Sequence, residues 1–365
     1  MRNGLVFFKP LFYVSTLALI TVAFFSSCQK TSTSTANIGD WAYKCEIGRQ
    51  PRTQAASFLI GNGAGDTTLY VGGGYNGFTN LRLTDFYAFD EATLTTTPVD
   101  SFPGDPRNGA ACFTSNGKGY VVGGYDGTYY LNDVWQFDPI QPAGSQWSYV
   151  GITNFGARAF AVGFTIGNYG YLATGADSTG YTYSDIWRFD GTTNTWANTG
   201  NSLQAERSNA SVFVYGNEAY IVGGVSVLPN SGQAQSYLPD LSVYNPANST
   251  VTYRRDIINN GDSSYEADYG NNITRYNGAI CVINDTAYFA TGNYNGIIGT
   301  TWAYDIGNDQ WFQKTSFEGT AREGAIGFSI NNHGYIGLGD NGSNYFNDVW
   351  EFFPDAAQTN NDNYP

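Results

Sequence analysis

Residues 119–138 read GYVVGGYDGTYYLNDVWQFD. A short apolar run ends in paired glycines, a polar tyrosine-rich stretch follows, and the segment closes on Asp-Val-Trp and a Phe-Asp pair. Related segments occur five more times along the chain, and the second glycine of each is Gly74, Gly124, Gly175, Gly224, Gly292 or Gly339. The steps between them are 50, 51, 49, 68 and 47 residues. A period near fifty, built from short strands, is typical of a β-propeller.

One repeat contains the signals for four strands. In the second repeat, the small residues of 108–114 suit an innermost strand, and the Asn-Gly pair at 116–117 is a strong hairpin signal. Residues 119–123 and 134–137 predict the second and third strands, and Trp147 marks the fourth. Four antiparallel strands per repeat make one propeller blade.

The last repeat has no fourth strand of its own, because a polar segment follows Phe353. Residues 40–47, which include Trp41, alternate like a strand, and we predict that they supply this outer strand and close the ring. Repeats 1 and 4 lack the fourth-strand tryptophan, and Phe102 and Tyr253 are the candidate replacements.

The paired glycines, the Asp-Val-Trp-x-Phe-Asp run, the distal tryptophan and a leading arginine together resemble Kelch repeats. Thr174, Thr291 and Leu338 replace the first glycine in three copies. The resemblance implies a propeller of six or seven blades, and the repeat count implies six. We therefore predict an all-β, six-bladed Kelch-type propeller over residues 40–354, with a polar tail at 355–365.

The N-terminal residues differ in composition from the repeats. Residues 1–27 combine two basic residues, a short apolar run and small residues, as a signal peptide does. The stretch FFSSC resembles a bacterial lipobox, which implies acylation of Cys28, a flexible tether over 28–39 and anchoring in a bacterial envelope, at the periplasmic or outer-membrane surface. The alternative is an ordinary secretory signal cleaved near Ser27.

Bulk composition excludes several function classes. The net charge is −14 with 17 Lys and Arg, so nucleic-acid binding is not expected. The chain has a single histidine, His333, in a predicted hairpin turn. This count excludes the two-histidine copper site of the Kelch-type radical oxidases. We expect no metal and no cofactor, a monomer, and membrane contact through the lipid anchor only.

The resemblance leaves two functions open. Kelch relatives include adaptors that bind protein segments, and bacterial sialate mutarotases (N-acetylneuraminate epimerases). Tyrosine- and asparagine-rich loops follow the glycine pairs, and Tyr125, Tyr129 and Tyr294 are candidate ligand contacts. We expect a binding and recognition module for a protein or a glycan. The alternative is a metal-independent sugar mutarotase.

Arginines that precede the inner strands are further candidates for ligand binding: Arg107, Arg158, Arg207, Arg275 and Arg322. Because they recur in every repeat, they also suit a structural role, such as pairing with Asp133 or Asp185. Glu206 and Glu323 are not periodic and are the candidate acids for the mutarotase alternative. Two insertions of unknown role, at 225–239 and 254–274, interrupt the period.

Overall fold

Short strands separated by asparagine- and glycine-rich turns make up the repeat region. The first thirteen strands are β1 (Ile38–Glu46), β2 (Ala56–Gly61), β3 (Thr67–Gly72), β4 (Tyr75–Asn76), β5 (Leu81–Arg82), β6 (Phe86–Asp90), β7 (Thr95–Val99), β8 (Ala111–Ser115), β9 (Lys118–Tyr125), β10 (Tyr130–Phe137), β11 (Trp147–Ile152), β12 (Val162–Ile166) and β13 (Tyr169–Ala173). The remaining strands are β14 (Tyr183–Asp190), β15 (Thr195–Arg207), β16 (Ser211–Tyr215), β17 (Glu218–Val222), β18 (Leu241–Asn245), β19 (Thr250–Tyr253), β20 (Ala279–Ile283), β21 (Thr286–Ala290), β22 (Thr301–Asp305), β23 (Gln310–Lys314), β24 (Ile326–Ile330), β25 (His333–Gly337) and β26 (Asp348–Ala357).

The computed structural model describes residues 1, 4, 38–61, 67–227, 236–257, 273–359 and 361–363. Its contacts divide the chain into two units, Met1–Ser34 and Thr35–Pro365. The predicted lipidation site Cys28 lies outside the described residues, as does most of the signal peptide and the tether. Much of both insertions, at 228–235 and 258–272, also lies outside them. Within the described ranges, no helix is long and apolar enough to cross a membrane.

The strands form six antiparallel four-stranded sheets, and each sheet is one blade. In hydrogen-bonded order, blades 1 to 6 are β2-β3-β6-β7, β8-β9-β10-β11, β12-β13-β14-β15, β16-β17-β18-β19, β20-β21-β22-β23 and β24-β25-β26-β1. The short pair β4-β5 lies in the loop after the second strand of blade 1. The six-bladed propeller predicted from the repeats is therefore confirmed.

The N-terminal strand completes the last blade, as predicted. β1 pairs antiparallel with β26, and Tyr43 lies opposite Trp350. The indole of Trp41 is fully buried, with ring centroids 5.1 Å from Phe317 and 4.5 Å from Phe352. Such aromatic contacts add about 0.5–1.5 kcal/mol each beyond the burial of apolar area. Closure therefore rests on a strand pairing and on a buried tryptophan.

A second closure runs around the propeller axis. The residue two positions after each repeat arginine has a positive φ, between 51° and 63°. Its backbone N–H donates to the carbonyl of the equivalent residue in the preceding blade, over 2.8–3.2 Å. The members of this axial ring, in chain order, are Gln54, Gly109, Phe160, Asn209, Asn277 and Gly324. Because Gln54 donates to Gly324, the ring is continuous across the junction of the first and last blades.

The C-terminal segment contacts the propeller more than the sequence indicated. β26 runs to Ala357, beyond the predicted propeller end at 354. The Thr359 backbone N–H then donates to Asp40 Oδ1 at 2.6 Å, and Tyr43 N–H donates to the carbonyl of Asp362 at 3.0 Å. The beginning of the predicted tail therefore continues the last blade and packs against β1.

The suggested replacements for the missing tryptophans are wrong. Tyr253 ends β19 with 46% of its surface exposed, so it does not fill an interblade core. Phe102 is buried, but it lies beyond the end of β7 and packs 5.1 Å from Trp147 of blade 2. At the position of the fourth-strand tryptophan, blade 1 has Thr96, which lies opposite Phe89, and blade 4 has Val251, which lies opposite Tyr244.

Candidate functional site

A cavity of about 400 Å³ opens at the propeller axis, and all six blades contribute to its walls. Its aromatic residues are Tyr75, Tyr125, Tyr130, Phe160, Tyr276 and Tyr345. Its polar residues are Thr53, Gln54, Asn209, Asn277, Glu323 and Asp340. We call this space the axial cavity. Four of these residues belong to the axial ring, so the segments that close the propeller also form the walls of the cavity.

Glu323 is the partly buried carboxyl group of the axial cavity. Its Oε2 accepts a hydrogen bond from Asn277 Nδ2 at 2.9 Å, and its Oε1 accepts one from Asn293 Nδ2 at 3.1 Å. Burial raises the pKa of Glu323, and the neighbouring Asp340 carboxylate adds to the rise, while the two asparagine amides partly offset it. A raised pKa increases the protonated fraction of a carboxyl group at a given pH, and the protonated form is the one that can donate a proton.

Tyrosine rings form one wall of the axial cavity. The ring centroids of Tyr125 and Tyr130 are 5.2 Å apart, and those of Tyr75 and Tyr345 are 5.9 Å apart with nearly perpendicular planes. The Phe160 ring contacts Tyr130 edge-on at 6.4 Å. Since each ring contacts another, the aromatic side chains of this wall hold one another in place.

Arg82 holds two of these tyrosines and was not identified from the sequence. Its guanidinium carbon lies 5.1 Å from the ring centroid of Tyr75 and 4.7 Å from that of Tyr125. Its Nε donates to Asn108 Oδ1 at 2.6 Å and to the carbonyl of Tyr125 at 3.0 Å. Its sequence position could have indicated this role, because Arg82 follows a glycine pair and is not one of the arginines that recur in every repeat.

The repeat arginines are buried in the blades and do not line the axial cavity. Arg158 is representative: Nη1 donates to Asp185 Oδ1 at 2.7 Å and to the Thr174 carbonyl at 3.1 Å, and Nη2 donates to Asp185 Oδ2 at 3.2 Å. Equivalent salt bridges join Arg52 to Asp85, Arg107 to Asp133, Arg207 to Asp240, and Arg322 to Asp348. In the Arg207 pair, Nη2 donates to both carboxylate oxygens. Each pair ties the start of a blade's first strand to its second and third strands.

Arg275 is the exception in this series. It donates to Thr300 Oγ1 at 2.8 Å and to the carbonyl of Thr291 at 2.7 Å, and Thr300 stands where other blades have aspartate. Burial lowers the pKa of Arg275 to about 9. Like the other repeat arginines it is buried and does not line the axial cavity, so the proposal that these arginines bind ligand remains a prediction without a contact to support it.

Of the tyrosines and acidic residues proposed from the sequence, Tyr125 and Glu323 line the axial cavity. Tyr129 is 68% exposed at a loop tip, and the Tyr294 ring packs 4.7 Å from Tyr237; neither lines the cavity. Glu206 is exposed, and its Oε1 accepts a hydrogen bond from the Tyr181 hydroxyl at 2.5 Å. The two candidate acids therefore lie in different surroundings, and only Glu323 lines this cavity.

His333 lies at the start of β25, directly after the hairpin turn in which the sequence placed it. Its side chain is 48% exposed, and Nδ1 lies 2.5 Å from Glu351 Oε1. Across the described ranges, no cluster of three or more His, Cys, Asp or Glu side chains is arranged to hold a metal ion.

Comparison with known proteins identifies the family. The family described as the KLHDC2/KLHL20/DRC7 Kelch-repeats domain matches residues 42–224. This chain belongs to the Kelch-repeat family. The Kelch propeller is also similar to the solved structure titled "Structure of YjhT", with a TM-score of 0.65 at 16% sequence identity, over 83% of this chain and 95% of that one. At this identity the likeness concerns the fold. A search of curated proteins gives no match.

Proposed function

We propose that this Kelch propeller is an extracytoplasmic, lipid-anchored recognition module that binds a saccharide in its axial cavity. The observation that carries the proposal is the combination of fixed tyrosine rings with the Glu323 carboxyl group in one axial opening. The anchor and the location rest on the lipobox-like sequence that ends at Cys28.

Sugar rings have two kinds of surface, and the cavity offers a partner for each. Their C–H faces pack on flat aromatic rings, which Tyr125 and Tyr130 provide. Their hydroxyl groups both donate and accept hydrogen bonds, for which carboxyl and amide groups such as those of Glu323, Gln54 and Asn209 are suitable. A volume of about 400 Å³ is within the usual range of small-ligand sites.

Ligand-observed NMR with a panel of neutral and acidic monosaccharides tests the proposal. We expect saturable binding of at least one sugar by the full chain, and at least tenfold weaker binding by the Tyr125→Ala variant. Tyr129→Ala is the matched control, because Tyr129 is exposed and outside the cavity lining. If no sugar binds, or if only the Tyr129 variant loses binding, the axial saccharide site is wrong and a protein segment on the loops becomes the better ligand.

The raised pKa of Glu323 favours sugar mutarotation as the second candidate function. Opening a sugar ring requires a proton on the ring oxygen and removal of one from the anomeric hydroxyl. Glu323 would perform the first step, and Asp340 is the nearest second carboxylate in the cavity lining. The Kelch-type sialate mutarotases, which the sequence resembles, are the relevant enzyme class.

Following the anomer ratio of sialic acid and common hexoses by proton NMR separates the two candidates. Acceleration above the uncatalysed rate, lost in the Glu323→Gln variant, would establish the enzyme. Equal rates with and without the protein, together with saturable binding, would leave recognition as the function.

A further inference from the structure

Tryptophans from fourth strands fill four of the six interblade clusters: Trp147, Trp196, Trp311 and Trp41. In blade 5, Trp311 lies opposite Tyr304. The equivalent residue in blade 4 is Val251, which lies opposite Tyr244 and packs into the cluster between blades 3 and 4. Valine is much smaller than tryptophan, so the side chain at this position occupies less of its interface than Trp311 occupies in blade 5.

A cleft of about 690 Å³ lies at this interface, and we call it the blade 3–4 cleft. On blade 3, Tyr171, Arg188 and Ala197 are cross-strand neighbours in β13, β14 and β15, and all three line the cleft. On blade 4, Tyr244 and the turn between β18 and β19 form the facing wall. Ile166, Tyr171 and Tyr244 line the cleft and also belong to the cluster into which Val251 packs. The cleft shares no lining residue with the axial cavity.

The blade 3–4 cleft is positively charged, although the protein as a whole is acidic. Arg188 lines the cleft, and none of the other lining residues is an aspartate or a glutamate. Among the described residues, no carboxylate forms an ion pair with Arg188, although the chain carries a net charge of −14. The aligned position holds Gln136 in blade 2 and Glu351 in blade 6, where Lys44 pairs with the carboxylate at 2.9 Å.

Arg188 is also oriented. Its guanidinium carbon lies 4.6 Å from the ring centroid of Tyr169, which lines the same cleft. A stacked guanidinium keeps its N–H edges available, and these match the two oxygens of a carboxylate. Asn198 and Asn217 add amide groups from the two sides of the cleft. The wall thus combines one oriented cation with neutral hydrogen-bonding groups.

We propose that the blade 3–4 cleft is a second binding site, specific for a small acidic saccharide, a sugar ring that carries a carboxylate. Arg188 binds the carboxylate through paired hydrogen bonds. The amides of Asn198 and Asn217 bind ring hydroxyls, and the Tyr169 ring and Ala197 provide the apolar contact surface. This site is independent of the axial cavity and does not require the function proposed there.

Isothermal titration of the full chain with D-glucuronate, and with D-glucose as the neutral analogue, tests the proposal. We expect glucuronate to bind at least tenfold more tightly than glucose. The Arg188→Gln variant, which installs the side chain found in blade 2, should bind glucuronate at least tenfold more weakly. Val251→Trp should also weaken glucuronate binding at least tenfold, because the indole would fill the cleft. Trp311 fills the equivalent interface of blade 5 in this way. Tyr129→Ala, at an exposed residue that lines neither the cleft nor the axial cavity, should leave glucuronate binding unchanged.

Three results would overturn the proposal: no saturable binding of glucuronate, equal binding of glucuronate and glucose, or full binding by Arg188→Gln. Arg188 is exposed, so its substitution is not expected to disturb folding, and thermal unfolding of each variant checks this. If Glu323→Ala rather than Arg188→Gln removes glucuronate binding, the acid binds in the axial cavity and the second site is rejected.

Discussion

Glu323 Oε2 accepts a hydrogen bond from Asn277 Nδ2 at 2.9 Å, across the boundary between blades 5 and 6. Glu323 directly follows Arg322, and Asn277 follows Arg275 by two positions. The buried arginines fix the backbone at these points, and the residues after them either bond around the axis or face the axial cavity. The candidate binding site is therefore assembled from the segments that close the propeller.

Replacing Glu323 by glutamine should change the pH dependence of stability. Burial raises the pKa of Glu323, so as the pH rises past the ordinary glutamate pKa of about 4.3 the unfolded chain loses this proton first. The free energy of unfolding of the wild type should then fall until the pH passes the folded-state pKa. We expect Glu323→Gln to gain stability relative to the wild type in urea titrations as the pH rises above the ordinary glutamate pKa. Glu206→Gln, at an exposed site, should show no such gain; a parallel gain would contradict the assignment.

The buried Arg158–Asp185 pair should be essential to blade 3. Removing the arginine leaves a partly buried carboxylate without its partner, so Arg158→Ala should lower the free energy of unfolding by about 3–5 kcal/mol. Arg188→Ala, in the same blade but exposed, should cost about 0.5 kcal/mol or less. Chemical denaturation measures both values. Similar small losses in both variants would mean that the repeat arginines are not structural.

Gly324 should be the most sensitive point of the axial ring. Its φ is +63°, and a Cβ atom there would clash with Thr53 Oγ1. Gly324→Ala should therefore destabilise the protein by about 2–4 kcal/mol, through left-handed strain and the clash together. Gly342→Ala is the control, because Gly342 has a φ of +82° but open space around it, and it should cost about 1–2 kcal/mol. Equal costs in the two variants would show that the ring contact is unimportant.

Closure by the N-terminal strand should depend on Trp41. Its indole is fully buried between Phe317 and Phe352, so Trp41→Ala should cost about 3–5 kcal/mol and lower the thermal unfolding temperature. Tyr253→Ala removes a large aromatic ring from the edge strand of blade 4, where it is 46% exposed, and should change stability by about 0.5 kcal/mol at most. A loss at Trp41 no larger than that at Tyr253 would contradict ring closure through β1.

The architecture was predictable from the sequence, whereas most of the axial site was not. The repeat period and the hairpin turns recur along the sequence, and they predicted six blades. Trp41 lies in a strand-like segment at the N-terminus while the last repeat lacks its fourth strand, and this combination predicted how the ring closes. The lining of the axial cavity depends on which side chains face the axis, so residues such as Gln54 and Asn209 carried no sequence signal beyond their fixed distance from an arginine. Tyr253 was misjudged because aromatic character does not report on which face of a strand a side chain lies.

If the axial cavity binds a saccharide, Glu323 should be required for that binding. Calorimetric titration of the full chain, Glu323→Ala and Glu206→Ala with the sugar that gives the strongest NMR response measures this requirement. Glu323→Ala should bind at least tenfold more weakly, while Glu206→Ala, whose carboxylate lies outside the cavity, should bind as the wild type does. Wild-type affinity in Glu323→Ala, or an equal loss in both variants, would contradict this requirement.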